Sequence, residues 1–241
     1  MDTLFLEIIV IIFLLSIIQS IIGVGILIVG TPVLLAYNFN FFVTLQILLP
    51  CSIIVNLYQL LNTTKKKISP FFKKIFLFYC LPFVPIGLIL IYFLKEQINF
   101  KILIGFLILM IMILKNIYKI KKISEIKKIY ILIFIGLFHG LTNLGGTLLS
   151  LFLSTINKNN VKIKTEIDYG YLFLASAQYL FLILFLNGKF EIKNIILIIA
   201  SIISCLIGNK VNPYIIKKKF LFFLNYIIIL SASIAIVSNF K

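Results

Sequence analysis

The sequence predicts an all-α integral membrane protein with about eight transmembrane helices in two tandem repeats of four. Three observations support this prediction. Of its 241 residues, 62% are hydrophobic and 12% are charged, so nearly all of the chain is needed for spans and short connections. Apolar segments of roughly 20 residues recur, a length that crosses a hydrocarbon core of about 30 Å. A glycine-rich apolar run occurs in each half of the chain, and the halves align at an offset near 120 residues.

The first glycine run lies in the first predicted span, where Gly23, Gly25 and Gly30 precede Pro32. The surrounding apolar segment, Leu4–Tyr37, would be about 51 Å long as one straight helix, which exceeds the hydrocarbon core. Glycine leaves helical geometry easily, and proline removes a backbone donor. We therefore expect the first helix of the first repeat to be broken at its glycines.

Three further spans complete the first repeat, residues 1–118, and a lysine-rich linker, residues 119–128, follows it. Pro82 and Pro85 should kink the third span, because proline cannot continue the hydrogen-bond ladder of a helix. The predicted spans are Phe41–Leu61, Ile75–Leu94 and Ile98–Ile117.

The second repeat, residues 129–241, begins with Ile129–Ile156, which is also too long for one straight crossing and contains the second glycine run. Four straight spans per half would make the two repeats parallel, whereas a re-entrant hairpin at a glycine break would make them inverted. The sequence leaves both arrangements open. The remaining predicted spans are Ile167–Leu186, Ile192–Ile207 and Phe220–Val237.

The net charge of +16 comes from 23 basic residues, all of them lysines placed mainly between apolar runs. This pattern is typical of cytoplasmic anchoring of a membrane protein, so we expect the lipid bilayer, and no nucleic acid, as the partner. For a multi-pass membrane protein, the positive-inside rule then predicts both termini in the cytoplasm. A basic surface also raises the local concentration of small anions, which favours an anionic substrate.

Motifs for enzyme chemistry are missing from the sequence. The three cysteines lie far apart in apolar segments without ligand spacing, which argues against a metal site. The chain has neither the His-Glu-x-x-His pattern of zinc enzymes nor the Gly-x-Ser-x-Gly pattern of hydrolases. We therefore expect no enzyme activity, no catalytic residue, no metal and no cofactor.

Polar residues within the spans are few, and they should face the interior of the bundle because unpaired polar groups are costly in hydrocarbon. A helix broken at glycine presents a half-helix N-terminus with partial positive charge, and two such ends would form an anion site. Helix packing is the alternative explanation, since Gly136 and Gly140 form a small-xxx-small pair. The candidate substrate-binding residues are Gln19, Gly23, Gly25, Ser52, Asn56, Asn143, Gly145, Gly146, Ser176 and Gln178.

His139 is the single histidine of the chain and lies in a predicted span. Its ordinary pKa of about 6.5 makes it the candidate for proton coupling, and a neutral imidazole bonded across helices is the alternative. Glu166 and Asp168, at the mouth of the sixth predicted span, are interpreted as ordinary loop charges.

At its two glycine runs the sequence resembles the sulfite exporter TauE/SafE family of bacterial membrane proteins. The resemblance rests on Gln19…Gly23-Val-Gly25…Gly30-Thr-Pro32 in the first half and on Gly136…Gly140…Asn143-Leu-Gly145-Gly146 in the second. It extends to the glycine-containing spans at the end of each half, from Gly87 to Gly105 and from Gly208 to Phe223. The resemblance implies transport of small anions, often sulfur-containing ones such as sulfite or organosulfonates.

We therefore predict a secondary transporter of a bacterial inner (plasma) membrane that exports a small anion by alternating access. Two alternatives stay open: a permease subunit driven by a separate ATPase, and a membrane assembly partner that transports nothing. The substrate, the coupling ion and the presence of a homodimer are not determined by the sequence.

Overall fold

The computed structural model describes residues 3–62, 68–117, 124–157 and 159–237, and the regular structure in these ranges is entirely α-helical. The all-α fold class predicted from the sequence is thus correct at this level. The helices are α1 (Thr3–Ile22), α2 (Ile26–Ala36), α3 (Phe41–Leu61), α4 (Pro70–Tyr79), α5 (Phe83–Leu94), α6 (Phe100–Ile117), α7 (Glu125–Thr142), α8 (Gly145–Ile156), α9 (Asn160–Phe185) and α10 (Ile192–Val237).

Five helical segments in the described ranges are long and apolar enough to cross a membrane, and the apolar helices α2 and α8 are too short to do so. The protein is therefore a multi-pass membrane protein by length and composition. These five segments do not confirm the eight transmembrane helices predicted from the sequence. The five segments are Thr3–Ile22, Phe41–Leu61, Pro70–Leu94, Val161–Phe185 and Ile192–Lys210.

Helix α2 folds back along α1. Between them, Gly23 adopts φ +87°, a backbone conformation that side chains disfavour. The backbone of Gly25 lies so close to α1 that an added methyl group would be 2.9 Å from the Gln19 nitrogen and 3.0 Å from the Leu15 oxygen. A methyl group on Gly30 would be 3.3 Å from Leu15 Cδ1. The chain thus reverses direction after α1, and α2 packs back against it.

Helices α7 and α8 form a second hairpin of this kind. Asn143 joins them in the left-handed conformation, with φ 65°, and its backbone N–H donates to His139 O at 2.8 Å. A methyl group on Gly145 would overlap His139 Cβ and would lie 2.6 Å from the Ile135 oxygen. Helix α8 therefore packs back against the last turns of α7.

Helix α3 of the first half and helix α9 of the second half run in opposite directions. Gln59, near the end of α3, contacts Lys164 at the start of α9. Tyr179, towards the end of α9, lies near Cys51, which is earlier in α3. Helix α3 is therefore antiparallel to α9. Helix α1 runs parallel to α3, and α7 runs parallel to α9. The pair α1 and α3 therefore runs opposite to the pair α7 and α9.

Helices α5 and α7 cross at glycines. A methyl group added at Gly136 would overlap Cys80 O, and one at Gly140 would overlap Val84 O. On α5, a methyl group at Gly87 would overlap Leu137 O. Helix packing is thus the role that the contacts of Gly136 and Gly140 support. The third predicted span is divided between α4 and α5, with Pro82 directly before α5.

Helix α10 differs from the prediction. It spans 46 residues without a break, so the separate seventh and eighth spans expected on either side of residues 208–219 are not seen. It starts at the end of the bundle where α1 starts and runs parallel to α1, since Gly208 packs against Ser20 near the far end of α1. The course of α10 does not support the expectation that both termini lie on the same side of the membrane. Of the predicted linker, residues 119–123 lie outside the described ranges, and residues 125–128 form the first turn of α7.

Candidate functional site

The Gln19 side chain closes the break between α1 and α2. Its Oε1 accepts a 3.0 Å hydrogen bond from the backbone N–H of Ile26, the first residue of α2. Its Nε2 donates to Ser52 Oγ at 3.2 Å on α3. One turn later, Asn56 Nδ2 donates to Ser52 O at 2.8 Å. The structure thus brings together the predicted residues Gln19, Ser52 and Asn56 beside Gly23 and Gly25, and the three side chains are fully buried.

The α7–α8 break is joined directly to α2. Asn143 Nδ2 donates a 2.9 Å hydrogen bond to Thr31 Oγ1, and that hydroxyl donates to Leu27 O at 2.7 Å. Both side chains are fully buried. The two interrupted segments, which lie far apart in sequence, therefore meet inside the bundle through α2. Thr31 was not among the candidate residues, because a threonine within an apolar helix often bonds only its own backbone.

His139 and Gln178 meet between α7 and α9. Gln178 Nε2 donates to His139 O at 3.3 Å and to Gly140 O at 3.5 Å. The His139 side chain is fully buried, and within the described part of the chain neither of its ring nitrogens has a hydrogen-bond partner. The cross-helix bond to the imidazole, expected if His139 is structural, is therefore not formed by these residues.

Three buried amide oxygens also lack a hydrogen-bond partner within the described ranges. They are Asn56 Oδ1, Asn143 Oδ1 and Gln178 Oε1. In each of these side chains the amide nitrogen donates a hydrogen bond to the protein, whereas the amide oxygen accepts none from the described residues. A buried polar atom without a partner costs about 1–3 kcal/mol. Water or a protonated ligand could satisfy these acceptors, and all three belong to residues predicted from the sequence.

The remaining predicted residues pack against protein. A methyl group on Gly146 would overlap the Tyr171 ring, and Gly145 lies against α7 as described above. Ser176 is half-buried on α9. In this conformation Gly145 and Gly146 therefore serve close packing at the start of α8, and no space for a ligand adjoins their Cα atoms.

A cavity of about 240 Å³ lies at the end of the bundle where α1, α3 and α10 begin. Phe5, Gln46 and Asn194 contribute to its wall, and Asn194 Nδ2 donates to Gln46 O at 3.3 Å. Lys193 and Glu191 add charge at its rim. None of the buried residues around the two breaks lines this cavity, so it stops short of them.

A second cavity, of about 170 Å³, lies at the opposite end, where α4, α7 and α9 begin and α8 ends. Its wall includes Lys128, Lys162 and Glu166. Glu166 Oε2 accepts a 2.8 Å hydrogen bond from Asn157 Nδ2, and its Oε1 accepts a 3.5 Å bond from Ser69 N. The two cavities open at opposite ends of the bundle, and Gln46 in one aligns with Glu166 in the other at the repeat offset.

The interpretation of Glu166 and Asp168 as loop charges was wrong. Both lie within α9 and are about 1% exposed, because α9 begins at Asn160, well before the predicted Ile167. Lys164 pairs with Asp168 at 3.0 Å and donates to Gln59 Oε1 at 3.1 Å. The missed signals were the Asn159 cap and the i, i+4 spacing of Lys and acid, which together favour a helix starting here.

In the described ranges, no group of three or more His, Cys, Asp or Glu side chains lies together as metal binding requires. No curated protein and no solved structure matches the chain. A family model described as sulfite exporter TauE/SafE matches residues 8–235, which is nearly the whole chain. The resemblance drawn from the glycine runs is thereby confirmed, and the chain belongs to the sulfite exporter TauE/SafE family of membrane transporters.

Proposed function

We propose that this protein is a secondary transporter of a small anion, such as sulfite or an organosulfonate, that works by alternating access in a bacterial inner membrane. Membership of the sulfite exporter family supports the substrate class. The observation that carries the mechanism is the junction of the two interrupted segments, Asn143 with Thr31, between cavities at opposite ends of the bundle.

Alternating access requires a central site that is reached from one side at a time. Gln19, Ser52, Asn56, His139 and Asn143 are fully buried between the cavities, which fits an occluded state. The opposite directions of α3 and α9, with a break after α1 and after α7, support the same mechanism, because exchanging the conformations of the two halves would close one cavity and open the other. Export or import would then follow from the gradients across the membrane.

The starts of α2 and α8 provide partial positive charge near this centre without any arginine. Gln19 Nε2 and the His139 ring are further groups able to donate hydrogen bonds. We infer that the anion lies between the two breaks, and that opening replaces some of the present protein–protein hydrogen bonds by bonds to the anion. His139 is then the candidate for carrying a coupled proton.

Flux of sulfite and methanesulfonate into proteoliposomes tests the proposal. The key variant is Asn143→Gly, which removes the amide but tolerates φ 65°. Asn187→Gly is the matched control, because Asn187 also has a positive φ, 56°, but is exposed just after the end of α9. We expect Asn143→Gly to lose most flux and Asn187→Gly to keep it.

Two steric variants add to this test. Gly25→Leu and Gly145→Leu would place side chains on Gln19 and His139, so we expect neither protein to transport. Normal flux in both would contradict the site. Absence of flux in the wild type, with co-purification of an ATPase or another stoichiometric partner, would favour the permease-subunit or assembly-partner alternative.

A further inference from the structure

A partly buried ion pair lies against the α1–α2 break. Lys164 Nζ and Asp168 Oδ2, one turn apart on α9, are separated by 3.0 Å, and their side chains are 16% and 2% exposed. A methyl group on Gly23 would lie 3.2 Å from Asp168 Oδ1. The pair is therefore held against the interrupted backbone of the first half, inside the bundle.

Lys164 also connects other elements at this point. Its ammonium donates to Gln59 Oε1 at 3.1 Å on α3, and the Cys205 thiol of α10 lies near enough to be influenced by both charges of the pair. The positive charge thus stands where α1, α3, α9 and α10 meet. These helices come from both halves of the chain.

At the second break the contact between the halves is made by uncharged groups, because Asn143 donates to the hydroxyl of Thr31. The two breaks therefore differ in charge although their backbones are alike. A difference of this kind is not needed for packing two similar hairpins, so it calls for a separate explanation.

Stability does not readily explain the pair. Desolvating an ammonium and a carboxylate costs several kcal/mol for each ion, and replacement of such a pair by apolar residues is often neutral or stabilising. An ammonium has three donors, which can change partners without changing the side chain's position. A small anion carries the charge of Asp168 and could take its place beside Lys164 without leaving a buried cation unpaired.

We propose that Lys164 binds the transported anion at the α1–α2 break, and that Asp168 holds its ammonium group when no anion is present. This inference rests on the proposed transport function and identifies the residue that selects for negative charge. Gln59 keeps the ammonium in position during the exchange of partners. Asp168 and the anion therefore compete for the Lys164 ammonium group.

Sulfite uptake by proteoliposomes tests this role in Lys164→Gln, Asp168→Asn and the double variant. We expect Lys164→Gln to raise KM roughly tenfold or more, which corresponds to the loss of a charge-assisted hydrogen bond. Asp168→Asn should lower KM, because the anion no longer competes with a carboxylate. The double variant, with no buried charge left unpaired, should fold normally and still transport poorly.

A purely structural pair predicts the opposite for the double variant, because removing both charges abolishes the cost of a lone buried ion. If the wild type transports sulfite and the double variant does so with normal KM, the role of Lys164 is overturned while the proposed function stands. If the wild type transports none of the tested anions, both are overturned. Exposed Lys127→Gln removes the same charge elsewhere and should change nothing.

Lys164→Arg provides a measurement that does not depend on the folding of the double variant. Arginine keeps the charge but presents a planar fork, so it should retain transport and shift the preference between sulfite and methanesulfonate. An unchanged preference, with KM values equal to those of the wild type, would count against direct contact with the anion.

Discussion

Asn143 donates a 2.9 Å hydrogen bond from Nδ2 to Thr31 Oγ1, across 112 positions of sequence. This bond links the break of the second half to helix α2 of the first. The Thr31 hydroxyl donates its single O–H to Leu27 O, so its oxygen must accept from Asn143, and the direction of the bond is fixed. The orientation of the Asn143 amide follows, with Oδ1 left as an unpaired buried acceptor within the described ranges.

Thr31→Val should therefore weaken the junction of the two halves. The variant keeps the shape of the side chain but leaves the Asn143 amide nitrogen without its acceptor. We expect a loss of about 0.5–2 kcal/mol in stability, measured as a lower unfolding temperature in detergent, together with reduced sulfite flux. Thr31→Ser keeps the hydroxyl and should behave like the wild type; equal effects of the two substitutions would show that the hydroxyl is unimportant.

Gly140→Ala should destabilise the protein through packing and not through the site. Its Cβ would overlap Val84 O, so α5 and α7 must separate or shift along each other. We expect a cost of about 1–3 kcal/mol, seen as a lower yield of monodisperse protein in size-exclusion chromatography. Phe134→Trp enlarges a side chain on the exposed face of the same helix and should be tolerated. An unchanged unfolding temperature for Gly140→Ala would contradict the close crossing.

How far the sequence predicts this structure can be judged from the two glycine segments and from α9. The excess length of Leu4–Tyr37 and of Ile129–Ile156, with their glycines, indicated where these helices end, and the ends of α1 and α7 fall there. The direction after each break could not be predicted, because a glycine permits many angles and the reversal depends on contacts such as Gly25 with Leu15.

Contacts between residues far apart in sequence are the second feature that the sequence could not fully predict. The candidate residues Gln19, Ser52 and Asn56 meet as expected for polar groups that avoid lipid, and Gln178 meets the backbone of His139. The contact of Lys164 with Gln59 spans 105 positions and depends on the antiparallel register of α3 and α9. Helical periodicity within α9 gives no information about that register.

His139→Gln should separate proton coupling from binding. The imidazole is buried, and both of its nitrogens lack partners in the described part of the chain, so a proton taken up there would not break an existing bond of the ring. If His139 carries the coupled proton, the variant should lose uptake driven by a pH gradient while exchange of sulfite for sulfite continues. Equal loss of both activities would indicate that the imidazole serves binding or packing instead.

The two cavities should be accessible from opposite sides of the membrane. Gln46 and Glu166 line one cavity each, at the starts of α3 and α9, which run antiparallel. The native cysteines Cys51, Cys80 and Cys205 are buried, so a membrane-impermeant thiol reagent should label the wild type weakly. In oriented vesicles, Gln46→Cys should then react from one side and Glu166→Cys from the other. Because the central residues separate the cavities, adding sulfite should raise labelling at one position as it lowers labelling at the other, and labelling of both from the same side would be incompatible with alternating access.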